Sequence, residues 1–347
     1  MDPLTHTLLG ANLASTRLRD TTRLATAALV IGANLPDVDS ILYFTGHDDL
    51  ALGFRRGWTH GVLALVVLPF LQTALLLLYD RLRPDREKRA HVGWLLCLSA
   101  FAILTHPFLD WLNNYGMRWL MPFRPTWSYG DSVYIMDPWL WLILGAGWLA
   151  PRRATRVTVG IWAACSALLV YFVAGRAAVY LPVVAVVALV LLAALVWRPR
   201  LTWIPNAALA LAAVYIATRL LIHEAAETRV ERQLASRNVM VAPDPLDPTS
   251  WAVVAQTGDV CRFGRYSWRH GLALNDLRIP VAKPSPEWEA AQRDPSIRGF
   301  MTWVRFPWYE IDAERRLLFV RDARYAVRRH GRGGFGGVEV QLPPKYR

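Results

Sequence analysis

The chain has 347 residues, of which 54% are hydrophobic and 16 are Trp, and its mean hydropathy of +0.22 is too high for a soluble domain with an ordinary polar surface. Only 19% of residues are charged, yet the formal net charge is +12, carried mainly by Arg; in so apolar a chain this points to Arg-rich cytoplasmic loops and not to a nucleic-acid partner. Cys97, Cys165 and Cys261 lack CxxC spacing, which supports neither a disulfide framework nor a Cys-based zinc ribbon.

The start, Met1-Asp2-Pro3-Leu4, carries no basic stretch before its first apolar run, so no cleaved signal peptide is expected. Pro3 suits the first turn of a helix, where its missing N–H has no intrahelical partner. Two short apolar segments, about 3 to 16 and 24 to 35, read as a helical hairpin inserted fully or in part. Runs at about 61 to 79, 92 to 112, 138 to 150, 157 to 175, 179 to 197 and 203 to 222 read as spanning helices, several being near the ~20 residues that cross the hydrocarbon core. The expected fold is mainly α: a polytopic bundle of eight hydrophobic segments, followed by a smaller, mainly β extramembrane domain. Its expected domains are 1–150, carrying a metal site, 151–224, with further spanning helices, and 225–347.

If eight segments alternate in direction, one face receives thirteen Arg and Lys, in the clusters Arg17 to Arg23, Arg81 to Arg89, Arg152 to Arg156 and Arg198 to Arg200. The other receives six: Arg55, Arg56, Arg118, Arg124, Arg176 and Arg219. The positive-inside bias assigns the first face to the cytoplasm of a bacterial inner membrane. From about 225, turn-rich Pro243-Asp244-Pro245-Leu246-Asp247-Pro248 and β-rich runs such as Trp251-Ala252-Val253-Val254 mark the second domain, which the same count places outside.

Polar groups interrupt the apolar segments at four places: Thr5-His6, Asn34-Leu35-Pro36-Asp37-Val38-Asp39, Arg56-Gly57-Trp58-Thr59-His60 and Thr105-His106-Pro107-Phe108-Leu109-Asp110. The topology puts all four on the outer side. His106 and Asp110, four apart on a helix, share a face, and Pro107 predicts a kink there. Imidazole nitrogen with carboxylate oxygen suits zinc or another borderline divalent ion. Singly, each residue has an ordinary reading as an interhelical hydrogen-bonding group or a cap. As a set, acidic and imidazole groups held at one level of a membrane need a partner, and a cation satisfies all of them.

These motifs, with Met1 to His6 and Gly10, Asn113 to Gly116, and Asp131 through Asp137-Pro138, resemble the bacterial membrane-bound metal-dependent hydrolases, also described as LexA-binding inner-membrane proteins, over about the first 150 residues. More distantly, the order Asp, His, then His-x-x-x-Asp is similar to zinc-dependent phospholipase C. The resemblance implies His6, Asp39, His60, His106 and Asp110 as ligands, Asp37 as ligand or catalytic base, and one or two ions, most simply zinc. Asp131 and Asp137 stand as a catalytic base, as groups orienting ligands, or as loop turn and helix cap. Arg56, with Arg55, is a candidate for holding a substrate phosphate, or pairs with Asp48 and Asp49; Asn114 is a second substrate-side candidate, and with Asn113 is placed to bond a ligand carboxylate. His47, His91, His223, His270 and His330 read as ordinary.

Three functions are compatible with this reading. The first is a hydrolase that cleaves a phosphoester or related ester bond of a lipid or envelope component. The second is a non-enzymatic membrane regulator or scaffold with a structural ion, whose protein partner engages the C-terminal domain. The third, a metal or proton transporter, fits less well with ligands gathered at one surface. No Gly-rich phosphate loop, Ser nucleophile elbow or catalytic Cys–His arrangement is visible.

Overall fold

The computed structural model describes residues 1–347 apart from 47, 86–88, 150–201, 245, 246, 248, 326–335 and 343–347. It divides into two compact units. The first comprises Met1–Val38, Arg56–His223 and Ala242–Thr249, and the second Asp39–Arg55, Glu224–Val241 and Ser250–Arg347.

The first unit is helical. Helix α1 (Pro3–Leu13) starts at Pro3 as expected, with the Asp2 carboxylate accepting from Thr5 N as its cap. Helix α2 (Ala25–Gly32) packs on α1 and leads into a 3-10 helix, Leu35–Thr45, that continues into the second unit. Gly10 is needed where α1 meets α2, since a Cβ there would lie 2.9 Å from the Leu29 carbonyl oxygen. After α3 (Asp48–Phe54), which belongs to the second unit, come the long α4 (Val62–Leu82) and α5 (Val92–Trp111), packed together, and the shorter α6 (Pro138–Leu149). The α5 helix runs through Pro107 to Trp111. Met1, Leu8, Leu109, Leu112, Val133, Leu140 and Leu144 form one buried core with Ala212 of α7 (Ile204–Leu234).

Among the described residues three helices, α4, α5 and α7, are long and apolar enough to cross a membrane. The α2 helix and the following 3-10 helix would make a fourth, bent by 49° at their break. The expectation of eight spans is therefore not supported. The 11 residues of α1 and 12 of α6 reach about 16–18 Å, against a hydrocarbon core of ~30 Å. Their apolar side chains cover each other: α1 packs on α6, and Asn12 Nδ2 donates to Leu144 O at 2.6 Å. The predicted segments 157–175 and 179–197 lie outside the described residues.

The two ends of this bundle differ in chemistry. At one end the Arg23 guanidinium pairs with Asp80 and donates to Arg83 O, while His91 N donates to Thr22 Oγ1. The loop after α1, the end of α4 and the start of α5 therefore meet there. The opposite end brings together the start of α1, the end of α2, the approach to α4 and the end of α5, and the imidazoles and carboxylates gather at that end.

The second unit is sheet-rich. Strands β1 (Val239–Pro243), β2 (Ser250–Thr257), β3 (Val260–Ser267) and β4 (Gly271–Pro280) form one sheet in that order; β5 (Pro307–Asp312), β6 (Leu317–Asp322) and β7 (Gly337–Gln341) form another. The β2–β3, β3–β4, β5–β6 and β6–β7 pairs are antiparallel. Helices α8 (Pro286–Arg293) and α9 (Arg298–Trp303) lie between the sheets in sequence. Trp251, Phe300, Trp303 and Trp308 are core residues here. The alternation in β6 turns Leu318, Val320 and Asp322 inward, and the buried Asp322 is matched by Arg324 at 2.7 Å and by Arg305 N at 2.8 Å.

Candidate metal centre

Four residues from three segments of the first unit can each offer a ligand atom within 4.8 Å of all the others: Asp37, His60, His106 and Asp110. His106 and Asp110 stand one turn apart on α5, as their spacing requires. His60 lies in the turn before α4, and Asp37 sits just past the break after α2. His60, His106 and Asp110 are fully buried, whereas the Asp37 side chain is 14% exposed.

The orientation of His106 is fixed by the backbone. Its Nδ1 lies 2.7 Å from Ala33 O, one of the carbonyls left without a helical partner at the end of α2. A carbonyl only accepts, so the proton is on Nδ1 and the Nε2 lone pair faces inward. That Nε2 is buried without a hydrogen-bond partner, 3.7 Å from both Asp37 Oδ1 and Asp110 Oδ2. His60 is arranged alike: Nδ1 lies 2.9 Å from Thr59 Oγ1, and Nε2 lies 3.3 Å from Asp110 Oδ2 and 3.9 Å from Asp37 Oδ1. Ligands held at about 2.0–2.2 Å around a tetrahedral ion stand roughly 3.3–3.6 Å apart, so these separations fit one divalent cation.

Asp110 is the hub. Its Oδ1 accepts from Arg56 Nη2 at 2.9 Å, pairs with the Met1 α-amino group and lies 3.3 Å from His6 Nε2. Arg56 Nε forms an ion pair with Oδ2 at 2.9 Å, so the guanidinium spans the carboxylate. Arg56 also donates to Asn113 Oδ1 at 3.0 Å and stacks over the Tyr115 ring at 4.5 Å. His6 stacks on His106, ring centroids 3.7 Å apart. Burial, reinforced by His106, the Met1 amine and Arg56, holds the His6 imidazole well below its ordinary value, so it is neutral.

The other expected site residues are placed as follows. Asp39 is buried, falls in the second unit and is not among the four. Asn114 lies in the turn after α5. The buried Asp131 takes a left-handed backbone, φ 42°, and offers a carboxylate oxygen within 4.8 Å of a ring nitrogen of His223, a residue expected to be ordinary. Those two are 92 positions apart, and no local motif links them. Of the three Thr-His pairs, only Thr59 touches its own imidazole; Thr5 bonds Asp2 and Trp141, and Thr105 bonds Ala102 O. Ala33 could not be foreseen, because it contributes only backbone. Asp49 meets the backbone N–H of Gly299 and Phe300, not an arginine.

Asp137 caps α6: its Oδ1 accepts from Trp139 N and Leu140 N, and its Oδ2 from Tyr215 OH. Burial pushes its carboxyl up to about 6, outweighing the opposing effect of those bonds and of Arg219. A carboxyl whose pKa is higher in the folded state takes up a proton on folding. Its stabilising contribution is therefore complete below its unfolded pKa and is lost as pH rises through about 6. The wild-type chain should lose on the order of 1–3 kcal/mol between pH 4 and 7 through this group, a slope absent from Asp137→Asn. Thermal melts across that range check this, and identical slopes in the two proteins would contradict it.

Residues 1–179, just over half of the chain, match the family model described as YdjM inner membrane protein. A relative from Bacillus subtilis (strain 168), described as uncharacterized protein YfhP, is 21% identical over 341 residues, covering 95% of this chain and 88% of its own. No solved structure matches.

Proposed function

This chain belongs to the YdjM inner membrane protein family, and on that premise we propose that it is a membrane-bound metal-dependent hydrolase whose ion is held by Asp37, His60, His106 and Asp110. The observation that supports this reading is the inward aim of two imidazoles, each with its Nδ1 engaged elsewhere, toward two carboxylates at ligand spacing. A divalent ion in that place supplies Lewis acidity and brings the ionisation of water toward neutral pH. The mixed nitrogen and oxygen set suits zinc.

The protein groups divide the remaining work. Arg56 and His6 orient Asp110, so Arg56 acts on the site through that carboxylate and not by holding substrate. Asp37, the most accessible of the four, takes the proton of the attacking water or serves purely as a ligand. Asp137 supports the fold as a cap. Val38 and Trp58, neighbours in sequence of Asp37 and His60, are half-exposed, which suits a substrate with an apolar portion. The bond cleaved is a phosphoester or related ester of a membrane lipid or envelope component. A second reading, a structural ion in a non-enzymatic regulator, draws on the complete burial of His60, His106 and Asp110.

Metal analysis of the purified full-length protein, with assay on phosphodiester and phospholipid substrates, separates the two. Stoichiometric metal is expected in the wild type and at least a tenfold loss in His60→Ala and Asp110→Ala, with hydrolysis falling in parallel. Metal retained without hydrolysis favours the structural ion; a metal-free wild type contradicts both.

The metal end is assigned to the extracytoplasmic side. Arg17, Arg19, Arg23, Arg81 and Arg83 belong to the opposite end, which the positive-inside bias keeps in the cytoplasm. A Cys at the exposed Phe123, in the segment that meets α4 through Val62 N and Trp119 O, should react in intact cells with a membrane-impermeant thiol reagent. Labelling only after the cells are opened would reverse the orientation.

A further inference from the structure

His60 sits in a turn that is held at both ends by a later segment of the same unit. Arg118 N donates to Arg56 O at 3.0 Å, and Val62 N donates to Trp119 O at 2.8 Å. Between those two bonds the turn closes on itself, with Gly61 N donating to Gly57 O at 2.7 Å and His60 N to the same oxygen at 3.3 Å. Glycine is needed on either side of the imidazole. A Cβ on Gly57 would lie 2.6 Å from Arg118 Nη2, and one on Gly61 would lie 2.5 Å from Met121 O. Residues 118–121 therefore press on the backbone of the turn, with no room for a side chain between them.

Arg118 is the unusual member of that segment. Its side chain is buried, 2% exposed, and a buried guanidinium persists only where its surroundings hold it. Its Cζ stands 4.9 Å from the centroid of the Trp127 ring, and Trp127 meets Tyr115 edge to face with centroids 6.1 Å apart. Tyr115 in turn lies 4.5 Å from the Arg56 guanidinium. The four side chains form a continuous row of cation, ring, ring and cation. One end of the row abuts Gly57, three residues before His60, and the other grips the Asp110 carboxylate.

We propose that Arg118 is a positioning residue for the metal centre: its guanidinium fills the space beside Gly57 and so sets where the turn presents His60 Nε2. The aromatic pair Trp127 and Tyr115 ties that guanidinium to Arg56, so the two arginines place a ligand each, His60 and Asp110. This inference rests on the reading of Asp37, His60, His106 and Asp110 as ligands, and it gives a task to a buried cation that the ligand set does not include.

The test is zinc affinity of the full-length protein in detergent, measured by chelator competition, with the visible absorption of the cobalt-loaded protein reporting ligand geometry. Arg118→Ala should weaken zinc binding about tenfold, the range seen when outer partners of metal ligands are lost, and should alter the cobalt bands. Arg118→Lys, which keeps the charge but not the planar group, should fall within about twofold of Arg118→Ala. Gly57→Ala should also cost about tenfold alone, yet add less than about twofold to Arg118→Ala, because the group that its Cβ meets is gone. The buried Arg219, whose Nε donates to Ser132 O, is the control for loss of any buried guanidinium. Arg219→Ala should keep zinc affinity within about twofold of wild type, with unchanged cobalt bands. Wild-type affinity in Arg118→Ala, an equal loss in Arg219→Ala, or Gly57→Ala and Arg118→Ala effects that add in full would overturn the inference while leaving the ligand set standing. A wild type that binds no zinc would remove the ligand set, and this inference with it.

Discussion

A carboxylate buried among apolar helices is the constraint around which the first unit is built. Removing Asp110 from water costs several kcal/mol unless cations and hydrogen-bond donors surround it. The structure supplies the Arg56 guanidinium, the Met1 amine and the His6 imidazole, and it brings the His60 and His106 rings to the other oxygen, the groups being drawn from the start of α1, the approach to α4 and α5 itself. Those segments are far apart in sequence, so satisfying one side chain fixes their relative placement. The helix ends follow from it. Ala33 O at the end of α2 accepts from His106, and Asp2 at the start of α1 caps its own helix while accepting from Trp141 Nε1.

The same groups are placed so that they could hold a metal ion. Arg56, the Met1 amine and His6 converge on Oδ1 of Asp110, and apart from Arg56 Nε it is His60 and His106 that face Oδ2. Asp37 approaches the same two imidazoles from the break after α2. The buried His106 Nε2 lies 3.7 Å from both Asp37 Oδ1 and Asp110 Oδ2, a spacing at which a divalent cation would serve the nitrogen and both carboxylates.

Much of this was legible in the sequence. The i, i+4 spacing of His106 and Asp110, and the appearance of His and Asp at the ends of apolar runs, pointed to the region; of the expected ligands His6, Asp39, His60, His106 and Asp110, only the last three fall in the group of four, with Asp37 as its fourth member, and the shift in composition near 225 marked the sheet-rich region. Span number was not legible from apolar content, which does not distinguish a face covered by lipid from one covered by protein; α1 and α6 are apolar because they cover each other. The role of Arg56 was hidden because a left-handed turn decides where its guanidinium points. The pairing of α3 with α9 joins positions some 250 residues apart through backbone and glycine, and those leave no chemical signature.

One cation held jointly by Asp37, His60, His106 and Asp110 is the central proposal. X-ray absorption at the metal edge of the purified protein reads that shell directly. It should show about two imidazole nitrogens and carboxylate oxygens at roughly 2.0–2.2 Å, with no sulfur. A shell of oxygen alone, the pattern of a loosely held hydrated ion, would contradict it.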